Sequence, residues 1–284
     1  MARVSRRVCA VFIPCEAWNQ SPEAGGAAAS GDVVRENGQP AGVPSPGADG
    51  RRQFAERLQA VVEVLICSGF PTQIAVAWLL AFAGLAPFRP DGKLSPSYVF
   101  ALSLLDAALL ITLVLWFFHA HGERPREVLL GKRRVASEAL LGLPLVVPVF
   151  LLVVAALSIV RWLAPWLHNV PQNPLEVLIR TRLDAVAFGV VAIVGGGLRE
   201  EIQRAFILRR FERHLGGGWL GVALFSLVFG AGHTLQGWDV AVATACLGAL
   251  WGAVFLIRRS IAAPVVSHSV FNAAEIFRYT LYGP

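Results

Sequence analysis

Residues 185–204 read AVAFGVVAIVGGGLREEIQR, an apolar run that ends with four charged side chains among its last six residues. These side chains are Arg199, Glu200, Glu201 and Arg204. An ionisable group at membrane depth is costly unless it is paired or faces a water-filled cavity, so it marks a candidate functional site. The rest of the sequence decides whether this stretch lies in a membrane and which residues face it.

The composition of the chain is typical of an integral membrane protein. Of its 284 residues, 55% are hydrophobic and only 15% are charged, and the mean hydropathy is +0.58. Soluble domains rarely have such values. The formal net charge of +6 would also suit nucleic-acid binding, but the Lys and Arg residues stand between long apolar runs. We therefore attribute the charge to membrane topology, and we expect the lipid bilayer rather than a nucleic acid as a partner.

Seven apolar stretches are long enough to cross a membrane as helices, since one crossing needs about 20 residues. They cover residues 58–85, 98–120, 138–162, 183–208, 219–236, 240–257 and 261–282. Pro71 and Glu63 make the first stretch uneven, so it is compatible with a kinked helix or with an interfacial piece followed by a span. The predicted fold is an all-α, polytopic membrane helix bundle of about seven transmembrane helices, with a range of six to eight.

Two further features concern domains and topology. Residues 1–53 are rich in Gly, Ala, Pro and Ser, which predicts a disordered N-terminal tail before a transmembrane helical domain over residues 54–284. Loops with many Lys and Arg residues, such as 123–137, alternate along the chain with loops that have fewer. The positive-inside rule then predicts a cytoplasmic N-terminus, and the expected location is a bacterial plasma membrane.

The charged stretch is predicted to face His233 across a helical hairpin. Three glycines at 216–218 break the helix that carries Glu200, and the next apolar run returns through the membrane. Positions equally far from this turn lie at the same depth, so Glu200 and Glu201 fall opposite His233, about 24 Å along each helix.

The last predicted hairpin brings a second histidine to a similar depth. His268 lies nine residues after Arg259, and Glu200 lies nine residues before Arg209. Both are therefore about 13 Å inside the basic boundary. Asn272 follows His268 by four residues and shares its helix face. The predicted cluster comprises Glu200, Glu201, Arg204, His233, His268 and Asn272, with Phe229 opposite Arg204.

Three motifs occur in order along these late spans. They are the Glu-Glu pair with a nearby Arg, FGAGH at 229–233 and HSVFN at 268–272. In this order they resemble the motifs of the CAAX prenyl protease and bacteriocin-processing (CPBP, Abi) family of intramembrane proteases. The resemblance covers a core of about 183–276. It implies an intramembrane endopeptidase that acts on a membrane-associated peptide or protein, in some members near a prenylated C-terminus.

The sequence departs from the family pattern in the charged stretch itself. The family has three residues between the second Glu and the Arg, whereas two separate Glu201 from Arg204. If Arg204 sets the register, Arg199 replaces the first Glu and Glu200 is the second. If the acidic pair sets it, Ala205 stands where the Arg belongs. Glu200 matches a family glutamate in both registers, so it is the first candidate for the catalytic carboxylate, and Glu201 is its partner or the second candidate.

The expected chemistry is hydrolysis by a buried glutamate. Arg204 is expected to keep Glu200 ionised so that it takes a proton from water, which His233 orients. His268 and Asn272 then donate hydrogen bonds to the oxyanion. Glu200, His233 and His268 would also suit Zn²⁺. Because the sequence has no His-Glu-x-x-His motif, the metal-free mechanism without a cofactor is preferred, and a metal-dependent version stays open.

Two other classes of function are compatible with the polar cluster. A transporter would also place Glu, Arg and His at the membrane midplane, but the chain shows no convincing internal repeat. A non-catalytic membrane scaffold would tolerate the altered Arg spacing. Outside the cluster, glycines 195–197 are expected to allow close helix packing, and Asp106 and Glu63 to join helices. Arg209, Arg210 and Arg213 are expected to be interface anchors.

Overall fold

The protein is a helical membrane bundle, described here by a computed structural model over residues 46–179 and 181–282. Its α-helices are α1 (Pro46–Ile66), α2 (Phe70–Phe82), α3 (Pro96–Ala120), α4 (Pro125–Leu130), α5 (Val135–Leu163), α6 (Arg182–Val191), α7 (Glu200–His214), α8 (Gly218–Ala231), α9 (Trp238–Arg258) and α10 (Ala262–Tyr282). The predicted all-α fold is confirmed. Most of the predicted 1–53 tail lies outside the described residues. Since α1 takes in the last residues of that tail, the boundary with the 54–284 domain stays a prediction.

Within residues 46–179 and 181–282, three helices are long and apolar enough to cross a membrane, namely α3, α5 and α9. A fourth candidate is the pair α1 and α2, which are bent by 44° at the break between them. The break falls at Gly69, whose φ of 95° is left-handed, and Pro71 follows in the first turn of α2. This agrees with the predicted uneven first span. The predicted count of seven spans stays a prediction.

The charged stretch lies on a continuous helix that runs from Arg182 to His214. Thr181 caps its first turn, where its side chain accepts a hydrogen bond from the amide of Asp184. Between α6 and α7 the helix changes to a π-helical segment over Ala192–Arg199. Such segments are rare and are frequently found at functional sites. Here the segment ends directly before Glu200.

The predicted hairpin between α7 and α8 is also confirmed. Gly216 and Gly217 have φ values of 98° and 107°, which only glycine adopts without strain, and α8 begins at the next residue. A Cβ at Gly221 would lie only 2.8 Å from the Cβ of Phe211. The glycine therefore lets the two helices pack closely beside the turn.

Helix α7 lies at the centre of the bundle despite its charges. Four consecutive residues, Ala205, Phe206, Ile207 and Leu208, are at most 1% exposed. They belong to a core that also draws on α3, α8 and α9. A helix buried on all sides must find partners for its polar side chains within the protein. The positions of these partners define the candidate site.

Candidate active site

Glu201 is the centre of the buried polar cluster. Its side chain is 1% exposed and forms an ion pair with Arg204, one helical turn away. The same carboxylate oxygen, Oε1, lies 2.9 Å from Nδ1 of His268 on α10. Because an ionised carboxylate only accepts hydrogen bonds, Nδ1 carries the hydrogen, and Nε2 of His268 faces away from Glu201. This contact fixes the orientation of the imidazole.

The guanidinium of Arg204 is also surrounded by aromatic rings. Its Cζ lies 5.0 Å from the ring centre of Phe229 and 5.6 Å from those of Phe225 and Trp251. A cation gains electrostatic stabilisation over an aromatic face, more so where water is excluded. The predicted placement of Phe229 opposite Arg204 agrees with this geometry.

Glu200 occupies a different environment from its neighbour. Its side chain is 17% exposed, and Oε2 lies 3.8 Å from Nε2 of His268. Within the described ranges, no hydrogen bond to its carboxylate is formed. Glu200 and Glu201 thus approach the two nitrogens of one histidine, but Glu200 is the more exposed of the two, so its carboxylate can reach water or a substrate.

Asn272 reaches the π-helical segment. Its side-chain amide donates a hydrogen bond of 3.2 Å to the carbonyl of Ala192. A Cβ at Gly196 would lie 2.5 Å from Nδ2 of Asn272 and 3.7 Å from Nε2 of His268, and a Cβ at Gly197 would collide with Ser269. The expectation of close packing is therefore confirmed for Gly196 and Gly197, which let α10 approach Glu200, but not for Gly195, whose Cβ position has no neighbour within 4 Å among the described residues.

His233 lies beside the cluster without a polar contact to it in the described part of the chain. The sequence predicted a span over 219–236 that includes His233. In the structure α8 ends at Ala231, so His233 lies in the turn before α9 and not in a helix. Its Nδ1 is 2.9 Å from the carbonyl of Phe229, and its ring packs 5.0 Å from the Phe229 ring. Because a carbonyl accepts, Nδ1 carries the hydrogen, which leaves Nε2 as an acceptor. Phe229 thus separates His233 from Arg204.

Trp251 is a further part of the site that the sequence did not reveal. Its ring stacks on His268 with 3.8 Å between ring centres, and its Nε1–H donates to Oγ of Ser267 at 3.0 Å. The two residues lie on different helices, α9 and α10, so no spacing along one helix links them. Trp251 and Glu201 together fix the ring of His268.

Arg199 turns away from the candidate site. It donates a hydrogen bond of 2.6 Å to Asp106 on α3 and one of 3.0 Å to Gln203, which in turn donates to the carbonyl of Cys67. The expectation that Asp106 joins helices is confirmed. Of the two registers considered, this geometry favours the acidic pair, because Glu200 and Glu201 both approach His268 and Arg199 does not.

Two expectations from the sequence need correction. Arg204 pairs with Glu201 rather than Glu200, because Glu201 is the carboxylate that is buried with it. Arg210 is not an interface anchor, since it is 1% exposed and lies 2.7 Å from the carboxylate of Glu63 on α1. The expected helix-joining role of Glu63 is thereby confirmed.

The residues considered as zinc ligands, Glu200, His233 and His268, do not form a ligand set in the structure. Among the described residues, no group of three His, Cys, Asp or Glu side chains is arranged to hold a metal ion. The Nδ1 atoms of both histidines are engaged with oxygen acceptors. The Nε2 atoms, which would be the ligand atoms for a metal ion, stay available, so the metal-dependent version remains an alternative.

Comparison with protein families identifies residues 182–274 as similar to the type II CAAX prenyl endopeptidase Rce1-like family. The predicted resemblance to CAAX proteases is thereby confirmed for the segment that carries all three motifs. Comparison with curated proteins and with solved structures found no match for the chain. The matched family is one of CAAX prenyl endopeptidases, and the described part of the chain contains helices that are apolar enough to cross a membrane.

Proposed function

We propose that the protein is an intramembrane endopeptidase that hydrolyses a peptide bond with water activated by Glu200. The observation that carries this proposal is the contrast between the two glutamates. Glu201 is fully buried and bound by Arg204 and His268, whereas Glu200 is partly exposed and has no hydrogen bond within the described residues. A general base needs a carboxylate that can reach water.

In this mechanism Glu200 removes a proton from water as the oxygen attacks the peptide carbonyl. The protonated Glu200 then gives that proton to the leaving amine as the carbon–nitrogen bond breaks. His233 orients the water through its free Nε2 atom. Glu201 acts through His268 and is a positioning residue.

The tetrahedral intermediate carries a negative oxygen that needs hydrogen-bond donors. Asn272 supplies its side-chain amide, and His268 donates when Nε2 carries a hydrogen. Each oxyanion donor contributes about 3 kcal/mol to transition-state stabilisation. Both side chains lie against the π-helical segment next to Glu200, so base and donors surround one small volume.

The proposed substrate is a peptide or protein embedded in or anchored to the bilayer. The test uses purified full-length protein in liposomes with prenylated and unprenylated peptides of the same sequence, and mass spectrometry of the products. We expect cleavage at one bond, with loss of activity in Glu200→Gln and in His268→Ala. Full activity in a folded Glu200→Gln variant would refute the assignment.

The same assay separates the alternatives. Unchanged cleavage in the presence of a chelator supports the metal-free mechanism, whereas a loss that Zn²⁺ restores would establish the metal-dependent version. Substrate uptake into liposomes without cleavage would indicate a transporter, and absence of both would indicate a scaffold. The proposed location is a bacterial plasma membrane with a cytoplasmic N-terminus, which reporter fusions at each terminus test.

A further inference from the structure

A basic cleft lies away from the candidate active site. It has a volume of about 590 Å³, within the range of small-molecule sites. Five basic side chains and three carboxylates line it. The basic side chains come from the α3–α4 connection, the α4–α5 connection, the end of α7 and the end of α9. The basic residues are Arg124, Lys132, Arg209, Arg213 and Arg259. Phe255 and Val128 add apolar surface.

The carboxylates of the cleft are already occupied by arginines. Glu123 forms ion pairs with Arg209, Arg210 and Arg213. Glu212 pairs with Arg259. Burial and the nearby Arg209 and Arg210 lower the pKa of Arg213, although Glu123 opposes this. The cleft therefore keeps an excess of positive charge after its internal pairing.

Lys132 is the cation most available to a ligand. It is exposed, and no carboxylate pairs with it in the part of the chain that the structure describes. Among the residues that the structure describes, Arg124 pairs with Glu127 alone, through an ion pair in which both side chains are mostly exposed. Such exposed pairs contribute little, so an incoming anion can replace Glu127 as the partner.

The backbone around the cleft is held in a defined conformation. Arg259 is the one non-glycine residue with positive φ among those described, at 56°. The amide of Ile261 donates a hydrogen bond of 2.8 Å to the carbonyl of Leu129 on α4. This contact ties α4 to the connection between α9 and α10, so the basic groups from different helices keep fixed positions.

Three candidate membrane spans meet at the cleft. Two of the candidate spans, α3 and α9, end beside it, at Ala120 and Arg258, and a third, α5, begins beside it at Val135. Phospholipid phosphates lie at this level, and basic pockets between transmembrane helices recognise anionic headgroups. A soluble acidic peptide would have no reason to meet this boundary together with the apolar surface of Phe255.

We propose that this cleft binds the phosphate headgroup of an anionic phospholipid. The acyl chains extend along the apolar helices, and the phosphate contacts Lys132 and Arg124. This site does not depend on the proposed peptidase activity.

The test titrates phosphatidylglycerol or phosphatidylcholine into the full-length protein in a non-ionic detergent, with native mass spectrometry as the readout. We expect saturable binding of phosphatidylglycerol and none of phosphatidylcholine. Each basic residue near a membrane surface contributes about fivefold in affinity, so Lys132→Gln combined with Arg124→Gln should weaken binding about 25-fold.

The matched control combines Arg126→Gln with Arg134→Gln, which removes the same charge from exposed positions near the cleft that do not line it. We expect this control to change affinity by less than about twofold, since only cleft residues contact the phosphate. Equal binding of both lipids, or equal weakening by the control, would refute the proposal. Inorganic phosphate or an acidic peptide that binds where phosphatidylglycerol does not would also refute it.

Discussion

Two buried arginines in one short stretch, Arg199 and Arg204, have different surroundings. Their exposed fractions are 7% and 1%, and each binds a carboxylate. The carboxylate partner of Arg204 also orients His268, whereas Arg199 and Asp106 join α3 to the central helix. Burial of a charge therefore does not by itself identify a catalytic group. The other contacts of its carboxylate partner distinguish the two cases.

The largest effect on stability is expected from Glu201→Ala. This change leaves Arg204 without its carboxylate in a site that water does not reach, and breaking a buried pair costs about 3–5 kcal/mol. The free energy of unfolding, measured by denaturant titration in detergent, should fall by this amount. The double variant Glu201→Ala with Arg204→Leu should recover part of the loss. A wild-type value for Glu201→Ala would show that the pair does not stabilise the bundle.

A smaller loss of about 3 kcal/mol is expected from Arg199→Leu, because Asp106 is left buried without its partner. The pair Arg199→Leu with Asp106→Leu should be more stable than the single variant. The hydrolytic rate per folded molecule of the double variant should stay near wild type, since the contacts of Arg199 and Asp106 do not include His268. A rate that falls as far as in His268→Ala would place Arg199 in the catalytic machinery.

Alanine substitutions can compare a packed and an unpacked glycine of the π-helical segment. In Gly197→Ala the new methyl group collides with Ser269, which should cost about 1–3 kcal/mol of unfolding free energy. Gly195→Ala is the matched control, because no described atom outside its own stretch of helix lies within 4 Å of its Cβ position. Equal stability of the two variants would show that α10 does not pack as described.

The sequence predicted the helical bundle, the α7–α8 hairpin and the convergence of Glu200, Glu201 and His268. Apolar length, glycine position and helical rise are local properties, so they can be taken from one segment at a time. The pairing of Arg204 with Glu201 was not predictable, because residues three and four positions apart share a helix face. Whether Glu200 or Glu201 pairs with Arg204 depends on which of them the other helices bury.

The sequence also could not predict contacts between distant helices. The stack of Trp251 on His268 and the ion pair of Asp106 with Arg199 depend on how helices rotate about their axes. His233 was expected within a helix, but the helix ends before it. The rise per residue therefore did not predict its contacts, and its depth in the membrane stays a prediction.

The smallest effect is expected from Trp251→Phe. Phenylalanine keeps a ring beside His268 but loses the hydrogen bond to Ser267, which is worth about 1 kcal/mol. We expect a loss of this size in unfolding free energy and a reduction in hydrolytic rate of less than tenfold. A loss of unfolding free energy as large as that of Glu201→Ala would show that Trp251 stabilises the site by more than this hydrogen bond.

The central claim is that the two adjacent glutamates have separate roles. It is tested most directly by measuring peptide hydrolysis and unfolding free energy together for Glu200→Gln in purified protein. We predict a rate lower by about 10²–10⁴, typical of a lost general base, with an unfolding free energy equal to wild type. A folded Glu200→Gln variant that cleaves at the wild-type rate would contradict this account.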